Sequence, residues 1–251
     1  MTSIVLDEYQ SAEKALNNLE LGNKPTETLS VVARYYYGKG YKKSEITRLL
    51  EEFLIKCDPN VNIVKWQETI DRVVKSSDKF KLVRIDGVSI TQSEMWAIQQ
   101  LGSKLLQKLL FTMLCLAKFE NAVSNTNNNW VNKKDRDIFG LANIKVTTKR
   151  QSLLINDLWN MGLIGYSRII DNINVNVKII DDESPAILFV DDFRNLGNQY
   201  MKYCGEKYIK CQCCGKVVKE GHGRQKYCPE CAVEIDRQKA VKRYHSRVSV
   251  A

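Results

Sequence analysis

The sequence predicts a mainly α-helical protein of the α+β class, and three observations lead to this fold class. Apolar residues recur at helical spacing through about the first 75 residues. Between residues 103 and 180, helical patterns are followed by short strand patterns. Near the C-terminus, four cysteines form two C-x2-C pairs. We therefore divide the chain into residues 1–78, 79–200 and 201–251.

The first segment is predicted to be a small helical bundle. An opening helix is expected to end near Gly22, and a second is expected to run from Pro25 to a stop at Gly38. Ser44 is predicted to cap a third helix, and a fourth covers about Val64 to Val74. The connection after Gly38 is longer than that of a helix-turn-helix. We therefore favour a bundle that is structural or contacts protein.

The second segment is expected to begin with a β-hairpin. Strand-like residues 82–85 and 88–90 flank Asp86-Gly87, a dipeptide typical of two-residue hairpin turns. Thr91 then begins a capping-box sequence, which predicts a helix. We expect a break at Gly102, followed by a leucine-rich helix to about Ala122 that forms the core of this segment.

A short strand, two helices and two strands are predicted after that core helix. Residues 173–179 alternate apolar and polar side chains, which predicts a half-buried strand, and Asp171-Asn172 is predicted to make the preceding turn. The elements are Trp130-Val131, Asp135–Leu141, Thr147–Met161, Leu163–Ile169 and Ile173–Ile179. This order is that of a winged helix-turn-helix. The sequence therefore predicts a winged-helix-like domain.

The helix that starts at Thr147 is predicted to have one apolar and one polar face. Four apolar residues are expected to pack on the core: Leu154, Ile155, Leu158 and Met161. The polar and basic positions that we expect to contact DNA are Lys145, Thr148, Lys149, Arg150, Ser152 and Asn156, with Arg168 and Lys178 on the wing. Asn160 shares the polar face. Polar side chains and cations suit base edges and phosphates, respectively. The alternative is an ordinary solvated face on a domain that contacts protein.

Four cysteines predict a metal site in the third segment. Cys211, Cys214, Cys228 and Cys231 follow C-x2-C-x13-C-x2-C spacing, which is typical of a tetrahedral Zn²⁺ ribbon. Gly215 is expected to adopt a left-handed conformation behind the second cysteine. Replacement of Cys211 by Cys204 or Cys213 is an alternative that the spacing leaves open. Since cysteine supplies all four ligands, we expect one structural Zn²⁺ and no catalytic position.

Positive charge is concentrated in two regions of the chain. Residues 201–251 contain 12 basic and 5 acidic residues, and residues 130–180 contain 8 and 4, within a total formal charge of +9. A helix from Ala232 to Arg247 is expected to carry Arg237, Lys239, Lys242, Arg243 and Arg247. Clustered positive charge favours a phosphate-binding surface.

No catalytic constellation is recognisable in the sequence. The chain has two histidines and lacks the P-loop, the dinucleotide-binding fingerprint and the G-x-S-x-G motif. The acidic residues Asp181, Asp182, Glu183, Asp191 and Asp192 are interpreted as a charged surface rather than a metal-nuclease site. We expect no enzyme activity and no small-molecule substrate. The N-terminus does not resemble a signal peptide, so we expect a cytoplasmic protein without a membrane partner.

Two stretches resemble a group of phage and prophage proteins of Gram-positive bacteria. They are Asp191-Asp-Phe-Arg-Asn-Leu-Gly-Asn-Gln-Tyr200 and Tyr208-Ile-Lys-Cys-Gln-Cys-Cys-Gly215, and the resemblance extends from about Thr26 onward. In that group a helical N-terminal region and a core like residues 111–158 precede a cysteine-pair ribbon. The stretch 225–232 is also similar to ribbons attached to phage-borne DNA-associated proteins. The resemblance implies a mobile-element origin and no particular activity.

The sequence therefore supports two hypotheses of function. The first is a non-enzymatic, zinc-stabilised protein that binds double-stranded DNA, in transcription regulation or replication initiation of a phage or similar element. The second is an adaptor that binds host polymerase or replication machinery, with zinc as a purely structural element. RNA is an alternative nucleic-acid partner.

Overall fold

The computed structural model describes residues 4–167 and 174–248, with the backbone alone given for 244–248. Close contacts divide the chain into one compact unit from Val5 to Asp86 and a second that contains Gly87 and all later residues. Helices dominate both units, and three small antiparallel sheets lie in the second. The predicted helix-rich α+β class is confirmed.

Four helices form the first unit. Their apolar faces meet in one core that includes Leu29, Val32, Leu50, Leu54 and Ile70, each fully buried. The helices are α1 (Glu8–Asn18), α2 (Pro25–Gly38), α3 (Lys43–Cys57) and α4 (Ile63–Ser76).

The start of α3 differs from the prediction. Lys42, rather than Ser44, is the N-cap residue, and its extended backbone leads into the first turn. The Glu45 carboxylate accepts the Lys42 backbone N–H at 2.8 Å. Because this acceptor satisfies an otherwise unpaired N–H, the helix begins before the serine.

The predicted hairpin across Asp86-Gly87 is wrong. Residues 83–85 pair with the segment before α1, where the Glu8 N–H donates to the Val83 carbonyl at 2.8 Å and the Ile85 N–H donates to the Leu6 carbonyl at 2.9 Å. The second predicted strand is β1 (Val88–Thr91), and it pairs instead with β5 (Ala186–Val190), with Val88 opposite Val190. The turn dipeptide therefore marks the boundary between the two units.

A long buried helix organises the second unit. After α5 (Gln92–Gln99), the chain breaks at Leu101–Ser103 and enters α6 (Lys104–Ser124), whose buried residues lie on all sides of the helix. The Thr91 N–H donates to the Glu94 carboxylate at 2.8 Å, as the capping-box sequence predicted. The break at Gly102 and the core position of α6 are confirmed.

A three-stranded sheet and two helices pack beside α6. The elements are β2 (Trp130–Val131), α7 (Asp135–Leu141), α8 (Thr148–Asn160), β3 (Ile164–Tyr166) and β4 (Val175–Val177). Both other strands pair with β4, giving the order β2-β4-β3. The elements occur in the predicted order, while the predicted turn at Asp171-Asn172 lies outside the described residues.

The expected alternation of burial along β4 is wrong at Asn176. This residue is buried like its neighbours, with Trp130 of β2 opposite it. Its side-chain amide donates to the Asn128 carbonyl at 2.7 Å, which satisfies the buried polar group.

The C-terminal elements follow β5. They are α9 (Leu196–Tyr203), the two-stranded ribbon β6 (Tyr208–Lys210) and β7 (Val217–Lys219), and α10 (Pro229–Val248). Helix α9 packs on α6, where the rings of Phe111 and Tyr200 lie 5.3 Å apart. The ribbon contacts α9 and belongs to the same compact unit.

Candidate metal centre and polar helix face

The four cysteines predicted to bind metal lie together. The Sγ atoms of Cys211, Cys214, Cys228 and Cys231 are all within 4.8 Å of one another. The Cys214 and Cys228 sulfurs are 3.8 Å apart. Four ligands at a Zn–S distance of about 2.3 Å define a tetrahedron with edges of about 3.8 Å. The cluster therefore has the spacing that a tetrahedral metal ion needs.

Local backbone geometry holds each pair of cysteines in a tight turn. Gly215 has φ of 76°, which confirms the predicted left-handed conformation, and its N–H donates to the Cys211 carbonyl at 2.9 Å. In the second pair, the Cys231 N–H points at the Cys228 sulfur at 3.5 Å. Such N–H groups stabilise negative charge on thiolates.

The remaining C-terminal cysteines lie outside this cluster. Cys204 and Cys213 are exposed, whereas Cys211 and Cys228 are buried. His222 is exposed in the loop between the two pairs. The cluster is therefore composed of the four predicted cysteines and contains no histidine.

Three of the thiols have different surroundings, which shift their pKa values in different directions. Burial raises the pKa of Cys211, but N–H groups around its sulfur, beginning with that of Cys214, outweigh burial and lower this pKa to about 6. Burial raises the pKa of Cys228, and contact with the Cys228 and Cys214 thiols raises that of Cys231. Neighbouring thiols resist carrying four negative charges at once, and a divalent cation would remove that repulsion.

An arginine that sequence reasoning missed supports the first cysteine turn. Arg194 donates to the Cys214 carbonyl at 2.6 Å and to both carboxylate oxygens of Asp192 at 2.8 and 2.7 Å. The Asp192 carboxylate raises the pKa of Arg194. The sequence signal for this contact is the Asp-x-Arg spacing at residues 192–194.

Two asparagines at the start of α9, the N-cap Asn195 and the helical Asn198, also hold the metal ribbon. The side-chain amides of Asn195 and Asn198 donate to the Val217 carbonyl at 3.3 and 3.0 Å. Asn198 is 2% exposed. No feature of the sequence distinguished these asparagines from the many others in the chain.

The arrangement fits a structural ion better than a catalytic one. Four thiolates fill the coordination sphere of a tetrahedral metal, so no position is left for water or substrate. Within the part of the chain that the structure describes, no other group of three or more cysteine, histidine or carboxylate side chains lies close enough together to hold a metal ion.

Helix α8 has the predicted division into a buried and an exposed face, with one exception. Leu154, Ile155 and Leu158 are buried. Met161 is 54% exposed, so its predicted core position is wrong. The helix ends at Asn160 and Met161 is its C-cap, so the helical wheel no longer describes its direction.

The predicted DNA-contacting residues of α8 and its surroundings are exposed where described. The Thr147 hydroxyl accepts the Arg150 N–H at 3.4 Å, confirming the predicted cap. Trp159 lies outside the apolar arc, and its ring is 5.9 Å from that of Tyr166 on β3. The exposed positions are Lys145, Thr148, Lys149, Arg150, Ser152, Asn156 and Lys178, whereas Arg168 lies outside the described residues.

The basic residues of α10 lie on a helix with few buried contacts. Arg237 pairs with Glu234 at 3.0 Å, and Lys239 lies 3.9 Å from Asp236. Lys242 and Arg243 are exposed, and Arg247 lies in the part of α10 for which only the backbone is described. The predicted basic helix exists, although acidic neighbours offset part of its charge.

The acidic residues around 181 contribute to a buried ion-pair network that was not predicted. The Lys118 ammonium lies 2.9 Å from the Glu94 carboxylate and 2.8 Å from that of Asp182, and donates to the Ser89 carbonyl at 2.8 Å. Glu94 is fully buried. Ser184 and Ser93 hydroxyls donate to Asp181 and lower its pKa to about 2. These carboxylates are engaged in structural contacts.

Comparison with known proteins adds no assignment. The chain matches no family model, no curated protein and no solved structure. Across the described part of the chain, every helix is too short or too polar to cross a bilayer.

Proposed function

We propose that this chain is a non-enzymatic, zinc-stabilised protein that binds double-stranded DNA through α8. The observation that carries the proposal is the face that α8 exposes. Its apolar arc is buried, while polar and basic side chains are exposed directly after a capped N-terminus. A helix in the major groove needs such a face.

The surrounding elements support the same proposal. Helices α6, α7 and α8 are followed by the ribbon β3–β4, and β2 adds the third strand. We interpret this order as a winged helix-turn-helix in which α8 is the recognition helix. Lys178 directly follows β4 and its side chain lies next to Gly165 of β3: a Cβ atom added to Gly165 would be 3.2 Å from the Lys178 Cε atom. A cation at that position suits a phosphate next to the groove.

We propose that the metal is Zn²⁺ with a structural role. Four thiolates at tetrahedral spacing favour a soft, tetrahedral ion. The zinc ribbon would fix the start of α10, since Pro229 lies between Cys228 and Cys231. The basic residues of α10 would then add affinity for phosphates without selecting sequence. The proposed role is transcription regulation or replication initiation, because both require selective binding of double-stranded DNA, and the phage or similar element as its source follows the resemblance described above.

The proposal is tested by comparing two pairs of substitutions in DNA-binding titrations. Lys149→Ala with Arg150→Ala should weaken binding to a preferred duplex by about 100-fold and reduce the difference from a scrambled duplex. Lys56→Ala with Lys65→Ala removes the same charge from exposed positions of the bundle and should change affinity less than about twofold. Equal effects of both pairs would refute the role of α8. Preference for RNA duplexes or single strands in the same titrations would reassign the partner.

A second candidate is an adaptor for host polymerase or replication machinery. Ile187 and Phe189 are 40% and 54% exposed, and they are two residues apart on β5, on one face of the strand. Exposed apolar side chains on one face are typical of protein-binding surfaces. Ile187→Ser with Phe189→Ser should abolish capture of a host protein if this candidate is correct and leave DNA affinity unchanged.

A further inference from the structure

A buried asparagine connects the metal ribbon to the turn that precedes α8. The Asn198 side-chain amide donates to the Val217 carbonyl of β7 at 3.0 Å. Its side-chain oxygen accepts from the Asn143 side-chain amide at 2.9 Å. Asn198 is 2% exposed and its bond to Val217 is buried, whereas its bond to Asn143 is partly buried, because Asn143 itself is exposed. One side chain therefore spans two parts of the fold that lie far apart in the sequence.

The turn at Asn143 is held tightly and has a conformation that restricts its sequence. Asn143 has φ of 50°, a left-handed conformation that asparagine and glycine tolerate. The Lys108 ammonium donates to its carbonyl at 2.8 Å, and the Ile144 N–H donates to the Phe139 carbonyl at 3.0 Å. Four residues later, Thr147 caps α8. The turn therefore sets where α8 begins.

The start of α9 fits closely against the end of α7. A Cβ atom at Gly197 would lie 1.9 Å from the Ala142 carbonyl oxygen. The backbone of α9 therefore approaches the turn as closely as only glycine allows. Asn198, the next residue, is thereby placed at hydrogen-bonding distance from both the turn and the ribbon.

We propose that Asn198 is a positioning residue that couples metal binding in the ribbon to the conformation of the turn before α8. When the ribbon is folded around its ion, the Val217 carbonyl fixes the Asn198 amide, and the amide oxygen fixes Asn143. When the metal ribbon unfolds, Asn198 loses its hydrogen bond to the Val217 carbonyl. Its side chain is then less constrained and holds Asn143 in the turn less firmly. The consequence for DNA rests on the proposed function: metal loading orients Thr148, Lys149 and Arg150 for binding.

The chain offers matched variants for this proposal. Asn198→Ala removes both hydrogen bonds. Asn143→Gly removes the bond to the turn, tolerates the positive φ, and leaves the bond to the ribbon intact. Asn195→Ala is the control, because Asn195 donates to the same Val217 carbonyl from the same end of α9.

Hydrogen exchange in the full chain, with and without Zn²⁺, tests the coupling directly. In the wild type and in Asn195→Ala, Zn²⁺ should slow exchange of the peptide that covers residues 139–147 by roughly three- to tenfold, the factor that one net hydrogen bond supplies. In Asn198→Ala and Asn143→Gly, that effect should fall below about twofold, while Zn²⁺ still protects residues 208–219 in every variant. A purely structural asparagine would change exchange equally with and without metal.

Two results would overturn the proposal. One is exchange at residues 139–147 that does not depend on metal in the wild type. The other is an Asn143→Gly variant in which Zn²⁺ slows exchange at residues 139–147 as much as in the wild type. This variant tests the proposal even if Asn198→Ala does not fold. Metal-dependent exchange in a protein that fails to bind DNA would refute the proposed function and leave the coupling standing. If the coupling and the proposed DNA binding are both correct, Zn²⁺ should raise the affinity of the protein for DNA, and DNA should raise its affinity for Zn²⁺ by the same factor. Asn143→Gly should reduce that factor.

Discussion

Removing the metal is predicted to unfold residues 205–231 while the α6 core remains folded. Between these residues the structure buries three side chains, Cys211, Val217 and Cys228, of which two belong to the four-cysteine cluster. The burial of one valine contributes about 1.5–3 kcal/mol, which is far less than the conformational entropy lost when this segment becomes ordered. Structural zinc contributes about 10–16 kcal/mol in small metal-binding peptides. The proposed Zn²⁺ would therefore be the main source of stability for this segment.

Helix α10 is expected to lose order with the ribbon. It starts at Pro229 within the second cysteine turn, spans 20 residues, and shows no buried side chain where side chains are described. Isolated helices of this kind are marginally stable in water. Chelation should therefore remove at most the helical circular-dichroism signal of those 20 residues. The larger helical signal of α1–α9 should persist.

Hydrogen exchange before and after chelation, followed by addition of Zn²⁺, is the assay. Residues 205–231 should exchange freely without metal and regain protection with one ion per chain, while α6 stays protected throughout. Cys228→Ser should reproduce the metal-free pattern, and Cys204→Ser, at an exposed position outside the cluster, should not. Protection of residues 205–231 that is unchanged by chelation would refute the reasoning.

Three further predictions concern the second unit. Lys118→Met should destabilise folding by about 3–5 kcal/mol in urea titrations, because it removes the cationic partner of the buried Glu94 carboxylate. Gly197→Ala should lower the free energy of unfolding by at least about 3 kcal/mol, or prevent folding altogether, because the added Cβ would lie 1.9 Å from the Ala142 carbonyl oxygen. Asp181 should titrate near pH 2 in carbon-detected NMR. Because this pKa is lower than that of an unfolded Asp, its contribution to stability is complete above about pH 4 and is lost as the pH falls through 2.

Each of these predictions has a matched control. Gly102→Ala adds a Cβ where no atom lies within 4 Å, so it should leave stability nearly unchanged. Lys133→Met breaks a pair with Glu120 at 3.4 Å that remains partly exposed, and it should cost less than about 1 kcal/mol. Ser93→Ala should raise the Asp181 pKa towards its ordinary value. Equal losses in test and control variants would contradict the assigned contacts.

Local signals in the sequence predicted the elements that depend on neighbouring residues. The Thr147 cap, the Thr91 capping box and the break at Gly102 depend on contacts within a few residues, and the structure contains each of them. The cysteine cluster joins two pairs that are separated by one short segment, and the spacing of the pairs predicted it. The predicted core helix was evident because nearly every position in its centre is apolar. Short-range patterns therefore predicted the helices and the metal cluster well.

The errors arose where the partner of a segment lies far away in the sequence. Residues 82–85 and β1 both have strand character, but nothing local shows that β1 pairs with β5, about a hundred residues later. Asn176 was expected to be exposed, because the sequence does not show that its side chain meets the carbonyl of Asn128, 48 residues earlier. The contacts of Arg194 and Asn198 were not predicted for the same reason, because their acceptors, the carbonyl oxygens of Cys214 and Val217, lie about 20 residues later in the metal ribbon.

The most direct test of DNA binding by this chain is a salt-dependent titration of the zinc-loaded protein. Labelled duplexes from the region upstream of its own gene and a scrambled control would be compared from low to physiological salt. The account predicts at least tenfold tighter binding to the upstream duplex and a log–log salt slope steeper than about −3, as expected for several phosphate contacts. Weak and equal binding to both duplexes that disappears by physiological salt would contradict it.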